Sequence, residues 1–489
     1  MSARVACPSP TLTSYGGVGT VTGSRHLVEV GTSAVLIDCG LFQGLKELRD
    51  RNWAPLPVDV DSLDAVVITH AHLDHCGYLP RLVQQGYKGP VYVTYDTGKL
   101  MSVVLPDSAR LLEEEAGYAN RKGFSRHHPA LPLYTEDDAW AAIELLQAMP
   151  FDHAFEAAPG IEVTFEPAGH ILGSAITRVV LGDEAGETTT LVCSGDLGRQ
   201  QHPFLRPPVG IGAADWVMVE STYGDRQHVS SDAVDRLAET ITRTAERGGV
   251  VVIPAFAVDR TEVLLFHLHH LAKAGRLPHI PIYVDSPMAL AGLTIYRAAL
   301  AEGALDVRPN FRGHPHVLDL DALEEVRDTQ GSKAISGRPG PAVVIAGAGM
   351  ASGGRVVHHL KRVLPDPRNT VVLVGFQAEG TRGRQLLEGA TTVKIHGQYV
   401  RVRAEICDLT GFSVHADADE LVNWLCSAAH EPAGVFVVHG EEAASAALAG
   451  RIEHELDWTA VRPGMGERLS LAVSAEQRAA APAVAVGAT

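Results

Sequence analysis

At 489 residues, the chain is longer than one typical hydrophobic core, so two domains are expected. Its composition, 46% hydrophobic and 20% charged residues, is that of an ordinary globular protein, and no run of about twenty uncharged apolar residues predicts a membrane span. The formal net charge of −17 argues at face value against a nucleic-acid partner. Six scattered cysteines without a Cys-x-x-Cys pair, and a start without a hydrophobic signal core, favour a reduced, cytoplasmic protein.

The first part of the chain alternates short apolar strands with turns. Residues 27–30 and 34–37 flank a turn and predict a β-hairpin. The second strand ends at Asp38, a position from which a carboxylate could orient a metal-binding histidine, although an isolated aspartate there is more often a turn former. An apolar run at residues 65–68 then predicts a buried strand.

The residues after this strand carry the strongest functional signal. Three histidines and one aspartate occur within six positions, namely His70, His72, Asp74 and His75. A loop at the end of a strand allows such side chains to converge on one point, and imidazole and carboxylate groups are ligands suited to zinc. The alternative, a polar loop with incidental histidines, does not explain this density of ligand-type residues after a buried strand.

The segment that follows predicts helices. A helix is expected over residues 78–85, a strand over 91–94 and a long helical region over roughly 97–148. His127 and His128 lie in a basic connecting loop, and we expect them at the surface because adjacent side chains rarely share a ligand direction.

The pattern His-x-His-x-Asp-His at the end of a strand resembles the signature of the metallo-β-lactamase superfamily. The resemblance implies a di-metal hydrolase with an αββα sandwich fold, and it says little about the substrate. Two later strand ends match further superfamily ligands: His170, between two glycines, and Asp196, after the apolar run 190–193. Asp196 would bridge the metals, because two cations held close together need a shared anionic ligand.

A second series of strands and helices begins where a single-domain member of the superfamily would nearly end. The alternation predicts a mostly parallel sheet, with strands at residues 216–219, 250–253, 282–284, 342–346 and 370–374. Its loops resemble the β-CASP cap of metallo-β-lactamase nucleases over residues 220–224, 253–257, 285–289 and 375–381. Relatives of this kind include the endonuclease subunit that cleaves pre-mRNA before polyadenylation and compact prokaryotic ribonucleases. One departure is Asp259, where glycine is expected; an acid is favourable at the start of a helix.

The last motifs lie where the chain is expected to return to the first domain. The β-CASP resemblance makes His415 the general acid, Glu220 its carboxylate partner and His439 the last metal ligand. Ribonuclease members are similar to this chain in having histidine at the last position, whereas DNA-processing members tend to have valine.

The predicted fold class is therefore α/β: an αββα metallo-β-lactamase sandwich with an inserted β-CASP domain on a mostly parallel sheet. The predicted divisions are residues 1–208 and 391–470 for the two parts of the metallo-β-lactamase domain, 209–390 for the β-CASP domain, and 471–489 for a low-complexity, disordered tail.

Two features of the insert have more than one interpretation. Residues 351–410 contain nine Lys/Arg and five Asp/Glu, a local charge of +4 that suits a phosphate-bearing substrate but also an ordinary solvated surface. The glycine-rich loop at residues 349–355 opens a helix and could cradle a phosphate, although a tight turn requires glycines as well.

Together, the residues and the resemblance predict a ribonuclease that uses two Zn²⁺ ions per chain. One zinc would be bound by His70, His72 and His170 and the other by Asp74, His75 and His439, with Asp196 bridging. A metal-bridged hydroxide would attack the phosphorus of single-stranded RNA, and the catalytic residues would be Asp74, Glu220 and His415.

Several points stay open at this level. A homodimer is left open, as is the choice between internal cutting and digestion from the 5′ end. A small-ester or thioester hydrolase would leave the insert, Glu220 and His415 unexplained. A catalytically silent RNA-binding subunit would usually have lost ligands, whereas all seven positions are filled here.

Overall fold

The computed structural model describes residues 7–473, apart from residues 124, 126, 184–185, 229–231 and 339. The strands are, in chain order, β1 (Cys7–Gly16), β2 (Arg25–Gly31), β3 (Ser33–Ile37), β4 (Ala65–Val67), β5 (Val91–Thr94), β6 (Leu146–Met149), β7 (Ala154–Ala158), β8 (Ile161–Pro167), β9 (Ala175–Gly182), β10 (Thr188–Cys193), β11 (Trp216–Glu220), β12 (Val250–Ala255), β13 (Ile282–Asp285), β14 (Leu323–Glu325), β15 (Ala342–Gly347), β16 (Thr370–Leu373), β17 (Thr392–Ile395), β18 (Gln398–Arg401), β19 (Glu405–Asp408), β20 (Gly434–Val438), β21 (Ala460–Val461) and β22 (Arg468–Ser470).

The α-helices cover the outer faces of the sheets. In chain order they are α1 (Lys46–Asp50), α2 (Leu73–Cys76), α3 (Leu79–Gln84), α4 (Tyr95–Lys122), α5 (Glu136–Ile143), α6 (Ala233–Glu246), α7 (Arg260–Lys273), α8 (Pro287–Glu302), α9 (Thr329–Gly337), α10 (Val356–Val363), α11 (Arg382–Leu387), α12 (Ala418–Leu425) and α13 (Glu442–Arg451). Among the described residues, no helix has both the length and the apolar character that crossing a bilayer requires.

Two seven-stranded sheets pack face to face and form the first domain. Their orders are β22-β1-β2-β3-β4-β5-β6 and β21-β20-β11-β10-β9-β8-β7. The core between them contains apolar side chains from both inner faces, including Val28, Val35, Val67, Val179, Leu191, Met218 and Phe436. Strand β3 is buried on both faces because its alternate residues Ala34 and Leu36 pack beneath the helices on the outside. The result is the predicted αββα sandwich.

The inserted cap is a separate six-stranded sheet with the order β14-β13-β15-β12-β16-β19. All five of its strand pairings are parallel, as the alternation of strands and helices predicted. The cap is inserted between β11 and β20, which are themselves parallel neighbours in the second sheet of the sandwich. The chain therefore leaves the sandwich at the end of one strand and returns to it through the adjacent strand.

Two local expectations differ from the structure. The region 97–148 is not one helical stretch, since β6 follows α5 and forms the edge of the first sheet. Asp74 and His75 lie on the single-turn helix α2 rather than in an open loop, with His72 immediately before it. Asp74 and His75 are adjacent on this turn, so their side chains point in different directions. His70 and His72 reach the site from the loop before the helix.

The boundary predicted at residue 390 stays a prediction, and the strand pairings near it bear on where the cap ends. Strand β19 pairs with β16 inside the cap sheet, and the hairpin β17–β18 packs its apolar side chains, Val393 and Ile395, against the same cap core. We therefore propose that the chain returns to the sandwich after Asp408. The tail predicted to be disordered lies outside the described residues from residue 474 onward.

Candidate metal centre

The predicted site residues meet at one edge of the sandwich. Strands β3 and β4 are parallel neighbours in one sheet, and β10, β11 and β20 are parallel neighbours in the other. Parallel strands end at the same edge of a sheet, so the residues that follow them converge there. Asp38 follows β3, His70 follows the apolar run that contains β4, and Asp196 follows β10. Glu220 is the last residue of β11 and His439 the first after β20.

Four side chains form a first cluster of possible metal ligands. The ring atom Nδ1 of His72 lies 3.1 Å from Nε2 of His70 and 3.2 Å from Nε2 of His170. Oδ2 of Asp196 lies 3.5 Å from the His70 atom and 3.6 Å from the His170 atom. In a tetrahedral zinc site with bonds of about 2.0–2.1 Å, neighbouring ligand atoms are about 3.3–3.4 Å apart. The first cluster therefore has the dimensions of such a site.

A second cluster shares Asp196 with the first. Nε2 of His75 lies 3.1 Å from Nε2 of His439 and 3.2 Å from Oδ1 of Asp196. Oδ2 of Asp74 lies 3.6 Å from the same atom of His439. The two oxygens of Asp196 therefore face different clusters, which is the arrangement a bridging carboxylate needs. All seven residues predicted as ligands lie in these two groups.

Neighbouring side chains orient three of the histidines. Asp38 accepts a hydrogen bond from Nδ1 of His75 at 2.7 Å, which leaves Nε2 of that ring free to bind a metal. The hydroxyl of Thr69 lies 3.0 Å from the Asp38 carboxylate and 3.1 Å from Nδ1 of His70. The predicted orienting role of Asp38 thus has direct geometric support, and it extends through Thr69 to a second ring.

Sequence reasoning did not single out the two threonines. Thr222, two residues after β11, places its hydroxyl 3.1 Å from Nδ1 of His439 and so fixes that ring as well. The sequence did contain a signal for them. Thr69 lies next to His70, and Thr222 lies two residues after Glu220, so each threonine is close to a predicted site residue at the end of a strand. The partners themselves, however, come from separate strands and become neighbours only through sheet pairing.

The electrostatics of the cluster suit neutral imidazole ligands and added positive charge. Burial lowers the pKa of His70 and His170, and it lowers the pKa of His72 to about 4, so these rings are neutral near pH 7. Burial opposes ionisation of Asp196, yet the surrounding histidines, His439 foremost, hold its pKa well below the usual range. For His75, the carboxylates of Asp196 and Asp38 outweigh burial and raise the pKa.

An unpartnered atom provides an independent test of whether metals fit. Oδ1 of Asp196 is buried and has no hydrogen-bond partner in the structure. A buried carboxylate oxygen without a donor is costly unless a cation approaches it. The donor set of histidine nitrogens and carboxylate oxygens is also the set that zinc prefers. The residues present therefore fit two metal ions.

His415 lies beside the two clusters and is paired with a buried carboxylate. Its Nδ1 is 3.2 Å from Oε1 of Glu220, a side chain with no exposed surface, and its ring packs 4.3 Å from the ring of His170. The same Glu220 carboxylate accepts hydrogen bonds from the backbone N–H groups of Leu197 and Thr222. Three donors thus satisfy Glu220, and its carboxylate is placed to orient the ring of His415.

The cap closes over this edge with the carboxyl ends of its own parallel strands. A cavity of about 140 Å³ lies between the two, and its walls include Asp74, Asp196 and His415 from the sandwich. The cap residues that line it follow β12, β13, β15 and β16 and are largely apolar: Phe256, Ala257, Val258, Arg260, Met288, Met350, Phe376 and Ala378. The crevice outside the carboxyl ends of parallel strands is where open α/β sheets bind ligands.

Three family models match successive parts of the chain. The metallo-beta-lactamase superfamily model matches residues 19–185, the Beta-Casp domain matches residues 261–386, and the Zn-dependent metallo-hydrolase RNA specificity domain matches residues 399–463. The last two ranges contain most of the cap and the final site residues.

Similarity to individual proteins extends over most of the chain. Ribonuclease TTHA0252 of Thermus thermophilus is 40% identical over 429 residues, which is 88% of this chain and 92% of that protein. The transcription termination factor FttA of Methanosarcina mazei is 31% identical over 458 residues, 91% of this chain and 69% of that protein. FttA of Pyrococcus horikoshii is 31% identical over 451 residues, 88% of this chain and 66% of that protein. The chain therefore belongs to the β-CASP family of metallo-β-lactamase-fold hydrolytic nucleases that act on RNA.

Proposed function

We propose that this protein is a zinc-dependent ribonuclease that hydrolyses the phosphodiester bonds of single-stranded RNA. Two zinc ions per chain would be bound by the two clusters, one by His70, His72 and His170 and the other by Asp74, His75 and His439, with Asp196 bridging. The observation that carries the proposal is the pair of buried nitrogen and oxygen clusters that share one carboxylate and adjoin His415. The chemistry that bound zinc supplies is the activation of water at neutral pH and the stabilisation of negative charge on phosphate oxygens.

The role proposed for His415 is to give a proton to the departing ribose oxygen. With Nδ1–H donating to Glu220, Nε2 carries the proton that can be transferred. A proton delivered to the 3′ oxygen leaves one product with a 3′-hydroxyl and the other with a 5′-phosphate.

RNA as the substrate is supported by two features of this chain. Histidine occupies position 439, as in the ribonuclease members that the chain resembles. The hydroxyl of Thr222 contacts its ring and holds it in place. The cap also contributes exposed basic side chains to an otherwise acidic protein, among them Lys361, Lys394 and Arg401. We propose that this basic segment follows the backbone of the RNA strand, whose affinity would then fall as salt rises.

Two rival functions lead to different outcomes in one experiment. The purified protein is analysed for bound zinc and then incubated with the same RNA labelled at either end, with a thioester substrate in parallel. Zinc near two ions per chain together with RNA cleavage supports the proposal, and the two labels distinguish internal cutting from digestion from the 5′ end. Tight RNA binding without cleavage in added zinc would instead support a silent RNA-binding subunit. Turnover of thioesters but not of RNA would support a small-ester hydrolase.

A further inference from the structure

Arg260 is a buried cation in the wall of the catalytic cavity. It is the first residue of α7, only 4% of its surface is exposed, and it lines the same cavity as Asp74 and His415. Its Nε and Nη1 atoms are buried and have no hydrogen-bond partner. Burial lowers the pKa of this guanidinium, but arginine stays charged in proteins. The wall of the cavity therefore contains a positive charge with two nitrogens that make no hydrogen bond.

The acidic neighbours of Arg260 do not neutralise it. Among the described residues, no carboxylate lies within ion-pairing distance of its guanidinium. The carboxylate of Asp259 is already used, since it accepts from the Tyr296 hydroxyl at 2.8 Å and pairs with Nε2 of His202 at 3.2 Å. Glu262 is fully buried without a partner, and burial raises its pKa well above the usual range, which favours its neutral form. An unpaired buried charge lowers the stability of the folded protein. Arg260 is therefore more useful for binding a ligand than for stabilising the fold.

The backbone before Arg260 is held in a strained shape. Asp259 has φ 69° and ψ −48°, and the N–H of Arg260 donates to the carbonyl of Val258 at 2.9 Å. These values describe a γ-turn of the rare, strained type, in a residue other than glycine. The side-chain contacts of Asp259 to His202 and Tyr296 hold the turn in place. This turn is what starts α7 with Arg260 at the cavity wall.

A phosphodiester is the ligand that matches an unused guanidinium at this place. The planar fork of arginine fits phosphate oxygens, and the bond is charge-assisted. A cavity of about 140 Å³ has room for one group of roughly the size of a benzene ring, so the phosphate that enters it is the one at the metal clusters. We propose that Arg260 binds a non-bridging oxygen of the phosphodiester that is cut. This inference rests on the proposed nuclease function and adds a phosphate-binding residue contributed by the cap.

The first test compares Arg260→Met with the control Arg276→Met, which removes an exposed arginine just beyond the end of the same helix. The kcat/KM of the zinc-loaded protein is measured on single-stranded RNA and on bis(4-nitrophenyl) phosphate, which contains one phosphodiester. We expect Arg260→Met to lower both values by about ten- to a hundredfold, the effect of losing charge-assisted hydrogen bonds, and Arg260→Lys to recover part of the loss. A loss on RNA alone would place Arg260 at another phosphate and overturn the inference.

A second readout does not depend on cleavage. Because methionine removes an unpaired buried charge from a site of similar shape, the Tm of Arg260→Met without ligand should equal or exceed that of the unsubstituted protein. Added inorganic phosphate should raise the Tm of the zinc-loaded protein, and it should raise the Tm of the variant less. A lower Tm together with unchanged kcat/KM, or an equal phosphate effect in both proteins, would show that Arg260 is structural. A protein that cleaves no RNA but shows the difference in phosphate effect would refute the nuclease proposal and leave Arg260 as a phosphate-binding residue.

Discussion

Replacing His415 with alanine separates the proposed proton transfer from metal binding. The ring of His415 lies outside the two ligand clusters, so His415→Ala should retain both zinc ions. It removes one of the three hydrogen bonds to Glu220 and leaves the backbone donors of Leu197 and Thr222 in place. Loss of one partner from a buried acceptor costs about 1–3 kcal/mol of stability, which the folded protein should tolerate. Loss of a general acid lowers kcat by about 10²- to 10⁴-fold.

The leaving group provides the decisive assay. The leaving group of RNA is a ribose oxygen, which needs a proton. The leaving group of bis(4-nitrophenyl) phosphate is 4-nitrophenolate, which departs without one. We expect His415→Ala to lose 10²- to 10⁴-fold in kcat on RNA but to lose little on bis(4-nitrophenyl) phosphate, with two zinc ions bound in both cases. His153→Ala, at an exposed turn residue, serves as the control and should match the unsubstituted protein. If His415→Ala cuts RNA at the normal rate, or if its kcat falls equally on both substrates, the general-acid assignment is wrong.

Two further predictions concern groups around the site. Asp38→Asn replaces the carboxylate that holds His75 and Thr69, and it should weaken zinc binding by about 10- to 100-fold, as competition with a chelator would measure; unchanged affinity would remove Asp38 from the metal centre. Asp306 is buried, accepts a hydrogen bond from the N–H of Gly173, and burial raises its pKa to about 6. Between about pH 4 and 6 this group ionises in the unfolded chain but stays protonated in the folded one, so stability should fall by roughly 3 kcal/mol as pH rises through this window. Urea unfolding of Asp306→Asn should lack that part of the pH dependence, and a constant difference between the two proteins from pH 4 to 7 would contradict the reasoning.

Much of the site could be predicted because its ligands follow strands in a repeated local pattern. An apolar strand followed by a histidine or an acid occurs at His70, Asp196, Glu220 and His439. The strand ends a buried segment and the next residue emerges at the sheet edge, so a short window of sequence reveals both the element and the position of the side chain. The same local regularity, strands alternating with helices, predicted the parallel sheet of the cap.

Other features depend on contacts that no local pattern contains. Glu220 meets His415 across 195 residues of sequence, because the backbone at His415 pairs with Gly198 in the loop after β10, the strand beside β11, although the whole cap lies between them in the chain. The boundary that we propose after Asp408 rests on the pairing of β19 with β16, which the basic hairpin before it did not reveal. Likewise, the sequence marks Arg260 only as a residue at the start of a helix.

The sequence by itself determined which chemistry this protein can perform, since residue type and strand-end spacing decide what a metal or a proton can bind. Tertiary structure alone decided which groups act together. The two oxygens of Asp196 face separate clusters because strands of the sandwich end at one edge. Arg260 lines the cavity because the cap presents the ends of its strands to that edge. Hydrogen bonding and burial depend on distances of a few ångströms between elements far apart in sequence, and packing sets those distances.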